Sequence, residues 1–152
     1  MADPVPVSSS GCTNFKLRQL TRRVTRHYDR MVGAAGLKTT QYSLLSHVVA
    51  LGPVRPGELA GRMDMDASTL TRNLQPLVAQ GWVEVGPGDD GRTRFVAATL
   101  SGRAKREEAK REWKRAQSAL AERLGAARLA RLHALLDECL VLVNEPQGEP
   151  HE

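Results

Sequence analysis

The chain has 152 residues, a length that suits one domain of ordinary size with enough chain to bury a core without metal or disulfide staples. A formal net charge of +5 points to an anionic partner, although charge alone fits DNA, a membrane surface or plain solubility. Cys12 and Cys139 lie far apart, with no CxxC and no CxxC…HxxxH arrangement, so neither a zinc site nor a disulfide framework is indicated and no metal or cofactor is expected.

The opening MADPVPVSSSG has neither a basic n-region nor an apolar h-region, and no stretch approaches the roughly 20 apolar residues of a membrane span. A soluble cytoplasmic protein with no membrane partner is expected. Residues 1–11 and 146–152, rich in Pro, Gly, Ser and acids, read as disordered tails. From Cys12 to about Ala35, Leu17, Leu20, Val24, Tyr28 and Met31 recur at three and four residues, the stripe of an amphipathic helix that Gly33 and Gly36 end. Thr39 or Thr40 can cap a second helix through QYSLLSHVVAL, apolar enough to be a core helix, and Gly52-Pro53 stops it.

Pro56 can open a short helix to about Met63. After a tight turn, Asp66 or Ser68 caps another, with Leu70, Leu74, Leu77 and Val78 facing inward and Gly81 closing it. Pro76 within that helix deletes a backbone hydrogen bond near its far end. Trp82–Val85 and Thr93–Ala98 favour strands, and the turn formers GPGDDGR between them make a two-stranded hairpin, a wing. Ser101 can cap a long charged helix with its stripe at Ala109, Trp113, Ala116, Leu120 and Leu124, and Gly125 separates it from a last helix. That helix carries Leu129, Leu132, Leu135, Leu136, Cys139, Leu140 and Val143, an apolar face too broad for one neighbour, so a subunit interface is expected. The fold class is mainly α with a small β-hairpin.

The second of the two short helices shows Ser68, Thr69, Thr71, Arg72, Asn73 and Gln75 away from its leucine stripe, with no acid from Ala67 through Gln80. Surface helices normally carry Glu and Lys, whereas these uncharged donors and one guanidinium suit groove contacts: Arg pairs with guanine, Asn and Gln with adenine, Ser and Thr with bases or phosphates. A plain solvated helix face is the competing reading.

This order of elements resembles the MarR family of bacterial regulators, from roughly Cys12 to Val143. Three stretches carry the resemblance: GLKTTQYSLLSHV, RPGELAGRMDMDASTLTRNLQPLVAQGWVE and DDGRTRFVAATLSG. A glycine usual early in the family's long helix is Ala104 here. The resemblance implies a homodimer intertwined through a first helix over residues 12–35 and C-terminal helices over 101–145, with a winged helix-turn-helix lobe over 36–100 on each side. Leu17, Leu20, Leu132, Leu136, Leu140 and Val143 would form the interface. Such a dimer acts on a near-palindromic duplex DNA operator, with repression the expected outcome and half-sites roughly one helical turn apart.

The resemblance also adds weight to Ser68, Thr69, Thr71 and Arg72, makes Arg92 the minor-groove arginine, gives Asp90 the task of orienting it through an ion pair, and puts Arg94 near the DNA backbone. An ordinary charged turn is the alternative for the wing tip. In this family a small organic effector commonly sits in a crevice between the dimer helices and the DNA-binding lobe, to which Tyr28, Tyr42, His47 and Trp113 can contribute, with ordinary core aromatics as the alternative. Cys12, at a helix start among six basic residues from Lys16 to Arg30, is a redox candidate because some relatives sense peroxide nearby. Their register puts Asn14 at the sensing place and Thr39 where a supporting tyrosine belongs, which favours an unreactive thiol.

Gly86, Gly88 and Gly91 match GxGxxG, but a strand rather than a helix follows and two aspartates sit inside, so they are turn residues and not a dinucleotide site. His27, His47, His133 and His151 are scattered singly, and Glu107, Glu108 and Glu112 stand at ion-pair spacing in a basic helix. No nucleophile with a base or facing carboxylate pair is visible, so no enzyme is expected. The remaining rival is a winged-helix module that binds protein instead of DNA.

Overall fold

The computed structural model describes residues 11–144; the expected tails lie outside these residues, Gly11 excepted. Six α-helices and one hairpin run in the order α1 (Thr13–Val32), α2 (Thr39–Leu51), α3 (Pro56–Arg62), α4 (Ala67–Ala79), β1 (Val83–Pro87), β2 (Arg94–Ala98), α5 (Leu100–Leu124) and α6 (Ala126–Leu142). The chain divides into two compact units, residues 1–116 and 117–152.

In the first unit the core gathers Leu44, Leu45 and Val48 of α2, Leu59 of α3, Leu70, Leu74 and Leu77 of α4, and Val83 and Val96 of the hairpin. Burying each leucine stabilises the unit by about 1.5–3 kcal/mol, so the leucine stripe of α4 is what clamps that helix in place. Val78, expected to face inward, is 42% exposed, because at the helix end Leu77 takes the core side and turns its neighbour outward. The strands pair antiparallel in the register Val85↔Val96. Val54, ahead of α3, adds a bridge with Val96 through N–H to carbonyl bonds of 3.0 and 2.8 Å in both directions. The wing is thereby fastened to the start of the helix-turn-helix.

Two caps differ from expectation. The N-cap of α2 is Lys38, not Thr39 or Thr40. Thr39 instead lies inside the first turn, where its free N–H donates to Asp29 Oδ1 of α1 at 2.7 Å, and Lys38 N–H donates to Gln41 Oε1 at 2.9 Å. At α5, Thr99 rather than Ser101 does the capping: its Oγ1 accepts the Gly102 N–H at 3.0 Å. Ser101 Oγ is drawn away to the Gly81 carbonyl at 2.9 Å.

Gly102 is buried, and a Cβ there would overlap the Trp82 carbonyl oxygen. The close-approach glycine of the long helix is therefore two residues before Ala104. Lys105 follows, its Nζ donating to the Ala35 carbonyl at 3.0 Å and to Glu108 at 2.9 Å while lying 5.5 Å from the centre of the Trp82 ring. Farther along, His27 of α1 donates from Nε2 to the Ala116 carbonyl at 2.8 Å.

In the second unit α6 buries none of its residues. Leu135, Leu136, Leu140 and Val143 are 57%, 39%, 67% and 76% exposed, and Leu132 is half-buried. No helix among the described residues is long and apolar enough to cross a membrane.

Gly102→Ala should destabilise the protein. Removing a helical glycine gains up to about 1 kcal/mol, but the added methyl meets rigid backbone, so a net loss of about 1–3 kcal/mol is expected in denaturant unfolding. An unchanged unfolding midpoint would contradict the Gly102–Trp82 packing.

Candidate nucleic-acid interface

The helix-turn-helix is set by local chemistry. Pro56 stands in the first turn of α3, where its missing N–H costs nothing. The turn out of α3 closes through Met65 N–H to the Ala60 carbonyl at 2.9 Å, with Asp64 at a φ of 53°. Aspartate is among the few side chains that tolerate this left-handed backbone. Asp66 then caps α4, its Oδ1 accepting from Thr69 N–H at 2.7 Å and Ser68 Oγ at 2.8 Å. The Thr69 amide, followed by the Ser68 hydroxyl, holds the Asp66 carboxyl at about 2, below its ordinary 3.8.

With Leu70, Leu74 and Leu77 buried, α4 turns Ser68, Thr71, Arg72, Asn73 and Gln75 to the surface, and Thr69 is half-buried. Ser68, Arg72 and Gln75, spaced four and three apart, form one row. Thr71 Oγ1 donates to the Ala67 carbonyl at 2.9 Å, and Asn73 Nδ2 makes a long 3.8 Å contact with Met65 Sδ. Among the described residues neither Arg72 nor Gln75 has a hydrogen-bond partner, so both keep their donors for another molecule.

The wing tip differs from expectation in one respect. Asp90 makes no ion pair with Arg92. Its Oδ1 accepts from the backbone N–H of Arg92 at 2.9 Å and of Thr93 at 2.8 Å, and its Oδ2 accepts from Thr93 Oγ1 at 2.7 Å. In so short a loop an aspartate reaches amides two and three residues ahead more readily than a long side chain can fold back on it. The Thr93 amide and hydroxyl, then the Arg92 amide, keep the Asp90 carboxyl at about 2, with a smaller contribution from Arg55. Gly91, at a φ of 69°, makes the bend, donating to the Gly88 carbonyl at 2.9 Å. Arg92 and Arg94 are exposed. Arg55, at the cap of α3, also faces solvent and was not singled out by the sequence, because one arginine before a proline carries no pattern.

Away from this face, Tyr28, Tyr42, His47 and Trp113 line one cavity of about 420 Å³. Val24, Thr25, Thr39, Ser43 and Ser46 complete its walls. Tyr42 and Trp113 lie 6.0 Å apart, centre to centre, at 30°. His47 Nδ1 donates to the Ser43 carbonyl at 2.7 Å. Burial raises the Tyr28 phenol above its ordinary 10.0. Ser46 Oγ is shielded from solvent and unpartnered. The serines were missed, though Ser43 and Ser46 at i,i+3 on an otherwise apolar helix were a readable signal. Cys12, the exposed N-cap of α1, is not among the lining residues.

Acidification gives a clear expectation. Because both folded-state carboxyl values are depressed, Asp66 and Asp90 contribute stability that is complete above about 3.8 and disappears as pH falls toward about 2. Carbon NMR of the carboxyls should show both titrating near 2, and midpoints near 3.8 would mean that the capping bonds are absent in solution.

Residues 35–93 match a MarR-family sequence model. The HTH-type transcriptional regulator YwoH of Bacillus subtilis is 28% identical over 93 residues, 61% of this chain and 68% of that protein. Among solved structures, a mutant MarR from E. coli complexed with operator DNA superimposes with a TM-score of 0.76 and 25% identity, covering 84% of this chain and 92% of that one. The M. tuberculosis transcriptional regulator MosR in complex with DNA gives a TM-score of 0.67 and 29% identity over 84% of this chain and 98% of that one. With a MarR-family match over residues 35–93 and a fold similar to MarR-family structures, the family and fold are those of winged helix-turn-helix transcription regulators rather than of enzymes.

Proposed function

We propose that this protein is a cytoplasmic homodimeric repressor that holds duplex DNA with α4 in the major groove and the wing in the minor groove, and that a small organic molecule in the cavity tunes it. The observation that carries the DNA reading is an acid-free α4 face on which Arg72 and Gln75 keep free donors beside a wing whose tip arginine is unpaired. Ser68, Thr69, Thr71, Arg72, Asn73 and Gln75 would meet base edges and nearby phosphates, and Arg92 would enter the minor groove with Arg94 at the backbone. Two similar structures are complexes with DNA, which supports the same partner here.

The lobe over residues 36–100 supplies these contacts in our reading, and residues 12–35 and 101–145 supply the dimer. Each unit carries its own uncovered apolar surface: Leu17 and Leu20 on α1 are 48% and 41% exposed, and α6 displays Leu136, Leu140 and Val143 beside half-buried Leu132. These exposed apolar side chains support an interface between copies of the chain. Cys12 is not among the residues lining the cavity, so in our reading the response runs through the small molecule, with redox sensing at Cys12 as the alternative.

Gel shifts with DNA from upstream of the protein's own gene test the reading. Binding should fall steeply with salt, by roughly a thousandfold or more between 50 and 200 mM. Arg72→Ala should cost about 1–3 kcal/mol on the operator and relax one position, whereas Arg92→Ala should weaken all sequences alike and reduce the salt slope. Shallow salt dependence together with indifference to both variants would favour a protein partner. Sedimentation should give a dimer, with Leu136→Asp yielding monomer or aggregate; a wild-type monomer at micromolar concentration would rule out the dimer.

A further inference from the structure

The outer face of the wing carries a groove distinct from the cavity at Tyr42 and Trp113. Strand alternation puts Val83, Val85 and Val96 on the core side and Glu84, Gly86, Phe95 and Ala97 on the opposite side, where Glu84 stands across from Ala97 and Gly86 across from Phe95. Pro53, next to the Val54–Val96 bridge, extends that face. With Asp89 these residues line a space of about 410 Å³, a size that suits a small molecule.

Two glycines shape the groove, for different reasons. At Gly88 the fold demands glycine, because a Cβ would overlap the Phe95 ring. At Gly86 it makes no such demand: φ is not positive, and a Cβ would meet nothing within 4 Å. Glycine inside a strand costs stability, and where packing does not require it, it often marks a place where another molecule approaches the backbone closely. Gly86 lines the groove, so its missing side chain keeps the floor open.

Glu84 and Asp89 set the charge of the occupant. On a chain of net charge +5, none of the lining residues is Lys, Arg or His. Neither carboxylate has a hydrogen-bond or ion-pair partner among the described residues, unlike those of Asp66 and Asp90, which amides and hydroxyls take up. The walls between them are apolar, and the Phe95 ring adds a π face of the kind that attracts cations. A phosphate or a carboxylate would meet repulsion here without compensation.

We propose that this groove binds a small organic cation with a flat apolar body of roughly two rings, its charge facing Glu84 and Asp89 and its rings lying over Gly86 beside Phe95. Pro87, Gly88 and Asp89 lead into the turn that carries Arg92, so the occupant sits against the part of the wing proposed to enter the minor groove. Binding of the cation itself is independent of DNA.

NMR titration of the nitrogen-labelled full chain near neutral pH, with 1-methylquinolinium and with quinoline, compares a cation with its neutral counterpart on the same rings. The Gly86 and Gly88 amides should shift with the cation, which should bind at least roughly fivefold more tightly than quinoline. Glu84→Gln combined with Asp89→Asn should weaken the cation roughly three- to tenfold and leave quinoline unchanged. Gly86→Leu should abolish binding while melting at the same or a higher temperature, since the new side chain fills open space on a backbone that tolerates it. Equal affinity for quinoline, or indifference of the cation to the paired carboxylate variant, would overturn the charge assignment. Unchanged affinity in Gly86→Leu would overturn the placement in the groove. Shifts at the Trp113 indole in place of the wing, or none at millimolar cation, would sink the site and leave the DNA-binding proposal untouched.

Discussion

The junction between Gly81 and Lys105 is the constraint on which the first unit depends. Gly81, at a φ of 74°, ends the α4 region and exposes its carbonyl to two hydroxyls, Thr99 Oγ1 at 2.6 Å and Ser101 Oγ at 2.9 Å. Thr99 N–H donates to the Trp82 carbonyl at 3.1 Å, and Gly102 packs its bare Cα against the same residue. Lys105 extends the cluster to the carbonyl of Ala35. The end of α4, the first strand of the wing and the start of the long helix are thus joined by directional bonds as well as by apolar packing. A shift at the start of α5 cannot leave α4 where it is without breaking several of these bonds.

α2 links the cavity to that face. Its Leu44, Leu45 and Val48 enter the core with Leu70, Leu74 and Leu77 of α4, while Tyr42, Ser46 and His47 of the same helix line the cavity. Close-packed interiors transmit small displacements because they have little empty space to absorb them. A molecule seated between α2 and Trp113 would therefore bear directly on the helix that supports α4. Its effect on DNA would be set by how differently it binds the two positions of α2, not by how tightly it binds.

Much of this was legible because it rests on periodicity and local capping. The leucine stripe of α4, the Asp66 cap, Pro56 at the start of α3 and the GPGDDGR turn each follow from a few adjacent residues. The aromatic quartet was legible as a group only through family resemblance, yet the fold brings all four to one cavity. What escaped depends on chain distant in sequence. Asp29 reaches Thr39 ten residues later, Val54 bridges Val96, and the demand for glycine at position 102 comes from Trp82. Ser101 was the cap expected for α5, but the Thr99 hydroxyl accepts the Gly102 N–H while donating to the distant Gly81 carbonyl.

Asp66 and Asp90, beside the residues proposed to meet DNA, would pose an electrostatic problem there, since carboxylates repel phosphates. Their bonding resolves it in a way the sequence did not suggest. Pairing Asp90 with the Arg92 guanidinium would cancel the positive charge most useful to a wing. Instead backbone amides and the Thr93 hydroxyl take up the carboxylate, just as the Thr69 amide and Ser68 hydroxyl take up that of Asp66. Amide dipoles satisfy a carboxylate without spending a cation, so the loop and the helix N-terminus are ordered while Arg72 and Arg92 stay unpaired among the described residues. The ion pairs present among those residues all lie within α5, between Lys105 and Glu108, Arg106 and Glu107, and Arg115 and Glu112. Glu107, Glu108 and Glu112 are thus matched to cations on the long helix, and Asp66 and Asp90 to amides near α4 and the wing tip, which leaves positive charge where the proposed polyanion would be met.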